Sequence, residues 1–166
     1  MINRIIAFVL LLFIISSCNV NKYSQEDIDT IVKKTDSKLK TITPVEYQWA
    51  SKSAYSEIKA LYPFPDIIFL NENYRFRSGG DSFNLYYFKD GALIYFKERK
   101  LQAIRDSNNK MRKVLSKLIL YLDQDGSVVK YYKNYDKKKA DLEGTDVDRI
   151  LSHAKELYDK VKERTK

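Results

Sequence analysis

Residues 83–97, FNLYYFKDGALIYFK, decide the fold of this chain, because two apolar and aromatic runs stand on either side of Asp90-Gly91. An Asp-Gly pair between such runs is the strongest short-range signal for a β-hairpin. The stretch therefore predicts strands at residues 83–88 and 92–97, joined by a tight turn.

A second hairpin follows, in which Asp125-Gly126 repeats Asp90-Gly91 at an offset of 35 residues. Its strands are predicted at residues 114–122 and 127–132, on either side of the turn at residues 123–126. Because a stacked repeat array needs at least about three units, two copies indicate neighbouring hairpins of a meander.

Shorter strands are predicted at residues 67–70 and 74–77. The sequence SGGD at residues 78–81 follows them and is rich in the residues that form turns. Glycines beside Arg75 and Arg77 are compatible with an anion cradle, but no Gly-Lys-Ser/Thr element follows, so we interpret residues 78–81 as an ordinary turn.

Two helices are predicted before the strands. Ser24 and Asp27 have the spacing of a capping box, and a stripe of helical period follows, made of Ile28, Ile31, Val32, Thr35 and Leu39. Thr43 and Pro44 suit the start of a second helix, whose apolar face comprises Tyr47, Ala50, Ala54, Ile58 and Leu61. Pro63 would end it.

A third helix is predicted near the C-terminal end. Thr145 and Asp148 again have capping-box spacing, and the stripe behind them comprises Val147, Ile150, Leu151, Ala154, Leu157, Tyr158 and Val161. The element order predicts an α+β fold. We expect an antiparallel sheet of four to six strands in hairpins, with two N-terminal helices and one C-terminal helix packed on one face.

Residues 1–18 form a segment of another kind. Arg4 gives a positive start, residues 5–15 are an unbroken apolar run, and Ser16-Ser17 stands directly before Cys18, the only cysteine. The run fits the roughly 7 to 15 residues of a signal-peptide core and falls short of the roughly 20 that span a membrane. The segment resembles a bacterial lipoprotein signal peptide with its lipobox.

This resemblance implies cleavage before Cys18, a lipid on its sulfur and acylation of the new amino terminus, detectable with labelled palmitate. Two or more acyl chains anchor a protein stably, where one is marginal. Asn19 stands where lipoproteins of the inner membrane usually carry aspartate, which favours the outer membrane. We expect a signal peptide at residues 1–17, a lipidated cysteine and tether at residues 18–23, and one domain at residues 24–166.

The mature chain is small and basic. Removing 17 of 166 residues leaves 149, and the loss of Arg4 changes the net charge from +8 to +7. That length suits one domain. Its aromatic hairpins and closing helix resemble those of small envelope lipoproteins with folds similar to PepSY and inhibitor-like α+β modules. This second resemblance brings no catalytic residues with it.

Two features suggest site chemistry, and each has a simpler interpretation. His153 is the only histidine, at the edge of the last apolar stripe, so we interpret it as a boundary helix residue and expect no catalytic residue. With one histidine and a lipidated cysteine we expect no metal, and we expect no cofactor. Asp123, Asp125 and Gly126 resemble part of a calcium loop, but Asn134 takes the place of its glutamate, which favours a hairpin turn.

Basic and aromatic residues around the second hairpin are the candidate contacts for an anion or a partner. We name them the basic set: Lys97, Arg99, Lys100, Arg112, Lys113, Lys130, Tyr132, Lys137, Lys138 and Lys139. Mixed lysine, arginine and tyrosine can hold anions and stack on ligands. The alternative is a solvated surface whose lysines protect strand edges from aggregation. An export signal argues against nucleic acid as the partner.

The sequence thus predicts a membrane-anchored interaction protein of the bacterial envelope without a catalytic centre, such as an inhibitor or immunity-type lipoprotein. Its partner would be an envelope protein or anionic lipid. The alternatives are a protein that binds lipids or other polyanions, and a hydrolase of envelope polymers. A cleft with converging acids, or with His153 beside a carboxylate, would favour the hydrolase. As a boundary residue, His153 should be replaceable by alanine with little effect on stability.

Overall fold

The computed structural model describes residues 22–50, 54–63 and 66–164. It contains two helices and eight strands: α1 (Gln25–Leu39), β1 (Val45–Ala50), β2 (Ala54–Leu61), β3 (Phe69–Phe76), β4 (Gly80–Lys89), β5 (Ala92–Arg105), β6 (Met111–Leu122), β7 (Val128–Tyr135), β8 (Lys138–Lys139) and α2 (Gly144–Arg164). The strands form one antiparallel sheet in which spatial order equals chain order. The predictions for residues 1–21, including those for Cys18, lie outside the described residues.

The two predicted Asp-Gly hairpins are present as β4–β5 and β6–β7. Asp90 and Gly91 both have positive φ, 53° and 81°, as a two-residue type I′ turn requires. Each hairpin has a register shift near its turn. The strands predicted at residues 67–70 and 74–77 both overlap one strand, β3, which spans Phe69–Phe76.

The predicted fold is wrong in its number of strands and helices. Residues 45–50 and 54–61, predicted as the second helix, form the hairpin strands β1 and β2. In β2 the buried residues Ala54, Ser56, Ile58 and Ala60 recur at every second position, which is the period of a strand. The helical spacing from Tyr47 to Leu61 arises by coincidence from apolar residues on two strands. Because the buried Ser56 is polar, the period-two alternation of β2 is not visible as a pattern of apolar residues.

The two helices also lie on opposite faces of the sheet, so the prediction that all helices pack on one face is wrong. Ile150 and Leu157 of α2 belong to the main core, together with Tyr86 of β4. Ile28 of α1 packs instead with Tyr121 on the other face. The unbroken apolar run at residues 85–88 indicates that the sheet is covered on both faces, because a strand buried on both faces shows no polar alternation.

Two of the local helix signals are confirmed, whereas the predicted cap at Thr145 is wrong, because α2 already begins at Gly144 and Thr145 lies inside it. The capping box of Ser24 and Asp27 is formed, and it places the start of α1. The stripe of α2 is buried at Ile150, Ala154, Leu157, Tyr158 and Val161. Within the described ranges, no helix combines the length and the hydropathy needed to cross a membrane.

Candidate functional site

Glu72 is a fully buried carboxylate in the middle of β3. Three side chains of neighbouring strands donate hydrogen bonds to it: Ser56 Oγ to Oε1 at 2.8 Å, Asn84 Nδ2 to Oε2 at 3.1 Å, and Tyr86 Oη to Oε2 at 2.9 Å. Antiparallel register explains this convergence, because Glu72 lies directly opposite Asn84 and Ser56 lies opposite Tyr74.

His153 of α2 completes the environment of Glu72. Its Nε2 lies 2.9 Å from Oε2 and 3.1 Å from Oε1. An ionised carboxylate only accepts hydrogen bonds, so Nε2 carries the hydrogen. The imidazole also stacks on Trp49, with ring centroids 6.2 Å apart, and meets the edge of Tyr74.

The surroundings of Glu72 determine its charge. Burial by itself raises the pKa of the Glu72 carboxyl, but the hydrogen bond and the charge of His153, followed by the bonds from Asn84 and Ser56, outweigh burial and hold that pKa below its ordinary value. Burial and the neighbouring Glu72 carboxylate raise the pKa of the Tyr86 hydroxyl well above its ordinary value. Glu72 is therefore an ionised acceptor with four donors.

A cleft of about 240 Å³ opens beside this cluster, between α2 and the sheet. We call it the His153 cleft. It is lined by Tyr74, Phe76, Ser82, Asn84, Glu98, Lys100, Arg149 and His153. Two cross-strand rows supply its floor, one through Asn84 and Glu98 and the next through Ser82 and Lys100.

Glu98 is the unusual member of the His153 cleft. Only 7% of its side chain is exposed, and this side chain makes no hydrogen bond within the described residues. Its ionic partner within the described residues is Arg149, whose Nη2 lies 3.8 Å from Glu98 Oε1. Charge-assisted hydrogen bonds between such groups are about 2.7–2.9 Å long, so this pair is loose. The carboxylate of Glu98 is thus largely buried and only loosely paired.

On the far side of His153 lies a second depression, of about 370 Å³. Its lining includes Trp49, Ser56, Tyr74, Glu156 and Lys160, and it shares Tyr74 and His153 with the His153 cleft. Lys160 Nζ stands 3.5 Å from the centroid of the Trp49 ring. Two aromatic side chains, Trp49 and Tyr74, thus flank the imidazole on the surface that holds both depressions.

The structure spreads the basic set over both faces of the sheet. Lys100 lines the His153 cleft. Lys97 and Arg99 are exposed and point to the opposite face, because side chains alternate along a strand. The same alternation separates Arg112 from Lys113 on β6.

The remaining members of the basic set are held by different partners. Arg112 Nη1 lies 2.6 Å from Asp136 Oδ2. Lys130 Nζ donates to Gln25 Oε1 at the start of α1, at 2.7 Å, and stands over the ring of Tyr132. Residues 137–139 form the last turn and β8. The basic set is therefore not one continuous patch.

Sequence reasoning named His153 and Lys100 but missed Glu72 and Glu98. Both glutamates occupy inward positions of strands, as Leu70 and Phe96 do two residues earlier. An acid at an inward position of a strand was the sequence signal for a polar site, because a charge is almost never buried without a partner. What the sequence did not supply was the strand register that joins these acids to α2.

Within the described ranges, no group of three or more histidine, cysteine, aspartate or glutamate side chains is arranged to hold a metal ion. Asp123 and Asp125 serve the β6–β7 turn: Asp123 O accepts from Gly126 N, and Asp125 Oδ1 accepts from Ser127 N. Comparisons with protein-family models, curated proteins and solved structures find no significant match to this chain.

Proposed function

We propose that this chain is a lipid-anchored binding protein of the bacterial envelope, and that the His153 cleft holds its partner. The observation that carries the proposal is Glu98, whose side chain is only 7% exposed, makes no hydrogen bond within the described residues and has only the loose contact with Arg149. Leaving such a group unpaired is unfavourable. A partner that donates a hydrogen bond to Glu98 would remove that energetic cost, so its binding in the cleft would be favourable.

The chemistry of Glu72 supports binding over catalysis. A general acid or base must exchange a proton at its working pH. Glu72 is fully buried, has a lowered pKa and accepts from four side chains, so it is held in one charge state. Its role in this proposal is to fix the imidazole of His153 as one wall of the cleft.

The location and the partner class follow from the sequence. The lipobox-like segment ending at Cys18 supports anchoring to a membrane, and Asn19 favours the outer membrane. In this proposal the partner is an envelope component, with an inhibitor or immunity-type role as the specific form. Anionic lipid is a second contact, made through the exposed members of the basic set.

Photocrosslinking in the native envelope tests this proposal. A photoreactive phenylalanine analogue is placed at Phe76, which lines the cleft, or at Phe83, an exposed aromatic on the opposite face of the sheet. We expect a specific crosslinked species from Phe76, weakened by Glu98→Gln, and none from Phe83. The proposal would be overturned if Phe76 gave no product or if Glu98→Gln left its product unchanged.

A hydrolase is the second candidate, and the contact between His153 and Glu72 favours it. Nε2 faces the carboxylate, which leaves Nδ1 on the outer side, where Glu156 Oε2 is 4.0 Å away. An imidazole held by a carboxylate is the arrangement of a general base. Under this candidate the full chain would release soluble fragments from isolated peptidoglycan, and His153→Gln would abolish that release. Absence of release from the unchanged chain would dismiss this peptidoglycan reaction.

A further inference from the structure

We infer that the His153 cleft binds an α-amino acid zwitterion, with the ligand ammonium on Glu98 and the ligand carboxylate between Lys100 and Arg149. The inference rests on the proposed binding function and names the ligand class. It also assigns a role to the three charged side chains of the cleft that the Glu72 cluster does not use, Glu98, Lys100 and Arg149.

The ammonium half follows from the isolation of Glu98. The nearest polar residue on β4, Asn84, cannot serve it, because Nδ2 donates to Glu72 and Oδ1 accepts from Ser82 Oγ at 2.7 Å. His153 Nε2 is likewise committed to Glu72. A donor from outside the chain can therefore serve Glu98, and an ammonium group offers three.

The carboxylate half follows from the surplus of positive charge. Lys100 has no acidic partner within the described residues, and its Nζ stands 5.2 Å from the centroid of the Phe76 ring. Arg149 is half exposed, which leaves its guanidinium room to turn toward a ligand. Glu98 balances only one of these two cations. An additional cation alone would increase the surplus, whereas a ligand carboxylate neutralises it.

The dimensions and the walls of the cleft limit the rest of the ligand. About 240 Å³ lies below the roughly 300–1,000 Å³ of pockets that take drug-sized molecules. Tyr74 and Phe76 give apolar surface for a short side chain. An amino acid fits this description, whether free or carried at the end of a longer envelope peptide.

Calorimetric titration of the purified full chain in detergent tests the inference. The probes are free L- and D-alanine, L-leucine and L-phenylalanine, and a γ-glutamyl dipeptide that carries the same zwitterion at a chain end. Each probe that binds is then repeated in two blocked forms, one N-acetylated and one with its α-carboxylate amidated. We expect at least one zwitterion to bind below about 10 mM, and each blocked form to bind at least about tenfold more weakly.

Variants assign the two halves of the ligand. Glu98→Gln should weaken binding at least about tenfold, and Arg149→Gln should weaken it less, because Arg149 is half exposed. Asp81→Asn makes the same change of charge on the opposite face and should leave affinity unchanged. A melting curve for each variant confirms that it is folded.

Two results would overturn the inference: no binding by any zwitterion up to about 10 mM, or equal binding by the N-acetylated form. Binding by the free amino acids alone, or by the γ-glutamyl dipeptide alone, would support the inference. It would also identify whether the zwitterion is free or carried at the end of a peptide. If these probes fail while crosslinking from Phe76 still depends on Glu98, the ligand class is wrong and the proposed binding function stands.

Discussion

Glu72 and His153, which lie 81 positions apart in the chain, meet with Oε2 and Nε2 separated by 2.9 Å. The contact joins the centre of β3 to α2 and is a polar link between the helix and the sheet core. It changes the expectation for His153, which sequence analysis treated as a replaceable boundary residue.

We predict that His153→Ala lowers the free energy of unfolding by about 3 kcal/mol, because it leaves the buried Glu72 carboxylate without the hydrogen bond that His153 donates. Urea unfolding measured near neutral pH checks this. Lys155→Ala, two positions along α2 and largely exposed, is the matched control and should change little. A loss for His153→Ala no larger than the control's would show that Ser56, Asn84 and Tyr86 suffice to hold Glu72.

The stability of the domain should fall in acid in a way that depends on Glu72. Its folded pKa is lowered, whereas an unfolded glutamate titrates near about 4.3. Between these two values the unfolded chain binds the proton more readily, so stability decreases as pH falls. The contribution is complete above about pH 4.3 and is lost as pH drops through the folded pKa.

Unfolding free energies measured from pH 6 downward in about half-unit steps check this dependence. Glu72→Gln removes the titrating group, and the folded variant should show a shallower loss of stability than the unchanged chain. Parallel curves for the two proteins would assign the acid sensitivity to other carboxyls, such as Asp27 and Asp146, whose pKa values are also lowered.

Leu157 should be among the most sensitive positions of α2. It is fully buried in the main core, and removal of a large buried aliphatic side chain costs about 2–5 kcal/mol. Leu157→Ala should therefore lower the melting temperature clearly. Lys162→Ala, in the last turn of the same helix, is the comparison, and equal small effects would mean that α2 packs differently.

Cys18 is predicted to carry the anchor, on the basis of the lipobox-like sequence before it. Cells fed labelled palmitate should label the unchanged chain. Cys18→Ala should remain an uncleaved precursor without label, and Ser17→Ala, a small-residue exchange next to it, should still be labelled. Persistent labelling of Cys18→Ala would refute the assignment.

Binding to anionic vesicles tests the basic set. Residues 137–139 lie at the end of β7 that is far from the β6–β7 turn. At that turn Asp123 accepts a hydrogen bond from Tyr23 N at 2.6 Å, which holds the last tether residue there. A strand of eight residues spans roughly 25 Å. A tether of five residues reaches under roughly 20 Å. Under the predicted anchoring at Cys18, we expect the lysines to approach the membrane when the strands lie along its surface.

We expect the triple change of Lys137, Lys138 and Lys139 to Gln to weaken vesicle binding by up to about 3 kcal/mol. High salt should also weaken it, because screening shortens from about 10 Å at 0.1 M to about 3 Å at 1 M. A second triple change, of Lys97, Arg99 and Lys113 to Gln, tests the face that carries α1. If the unchanged chain fails to bind anionic vesicles at low salt, these charges serve solubility alone.

The sequence was informative where the signal is local. The Asp90-Gly91 turn, the Ser24 cap and the stripe of α2 each depend on residues a few positions apart, and all three are present. The sequence misled from Tyr47 to Leu61, where apolar residues of the two strands β1 and β2 recur at the three- and four-residue spacing of a helix. The Glu72 cluster was beyond local reasoning, because it depends on the register of β2, β3 and β4 and on the placement of α2.

Strand order that equals chain order has a consequence for how this chain folds. Each of the seven ladders joins consecutive strands, so the sheet is built from contacts between near neighbours in sequence. Such topologies reach their native pairing quickly, since little loop entropy is lost before contacts form. The helices are different: Ile28 of α1 leaves the ribosome early but packs against Ile94 and Tyr121, which are made much later. During synthesis α1 must therefore wait with its apolar stripe uncovered until β5 and β6 have been made.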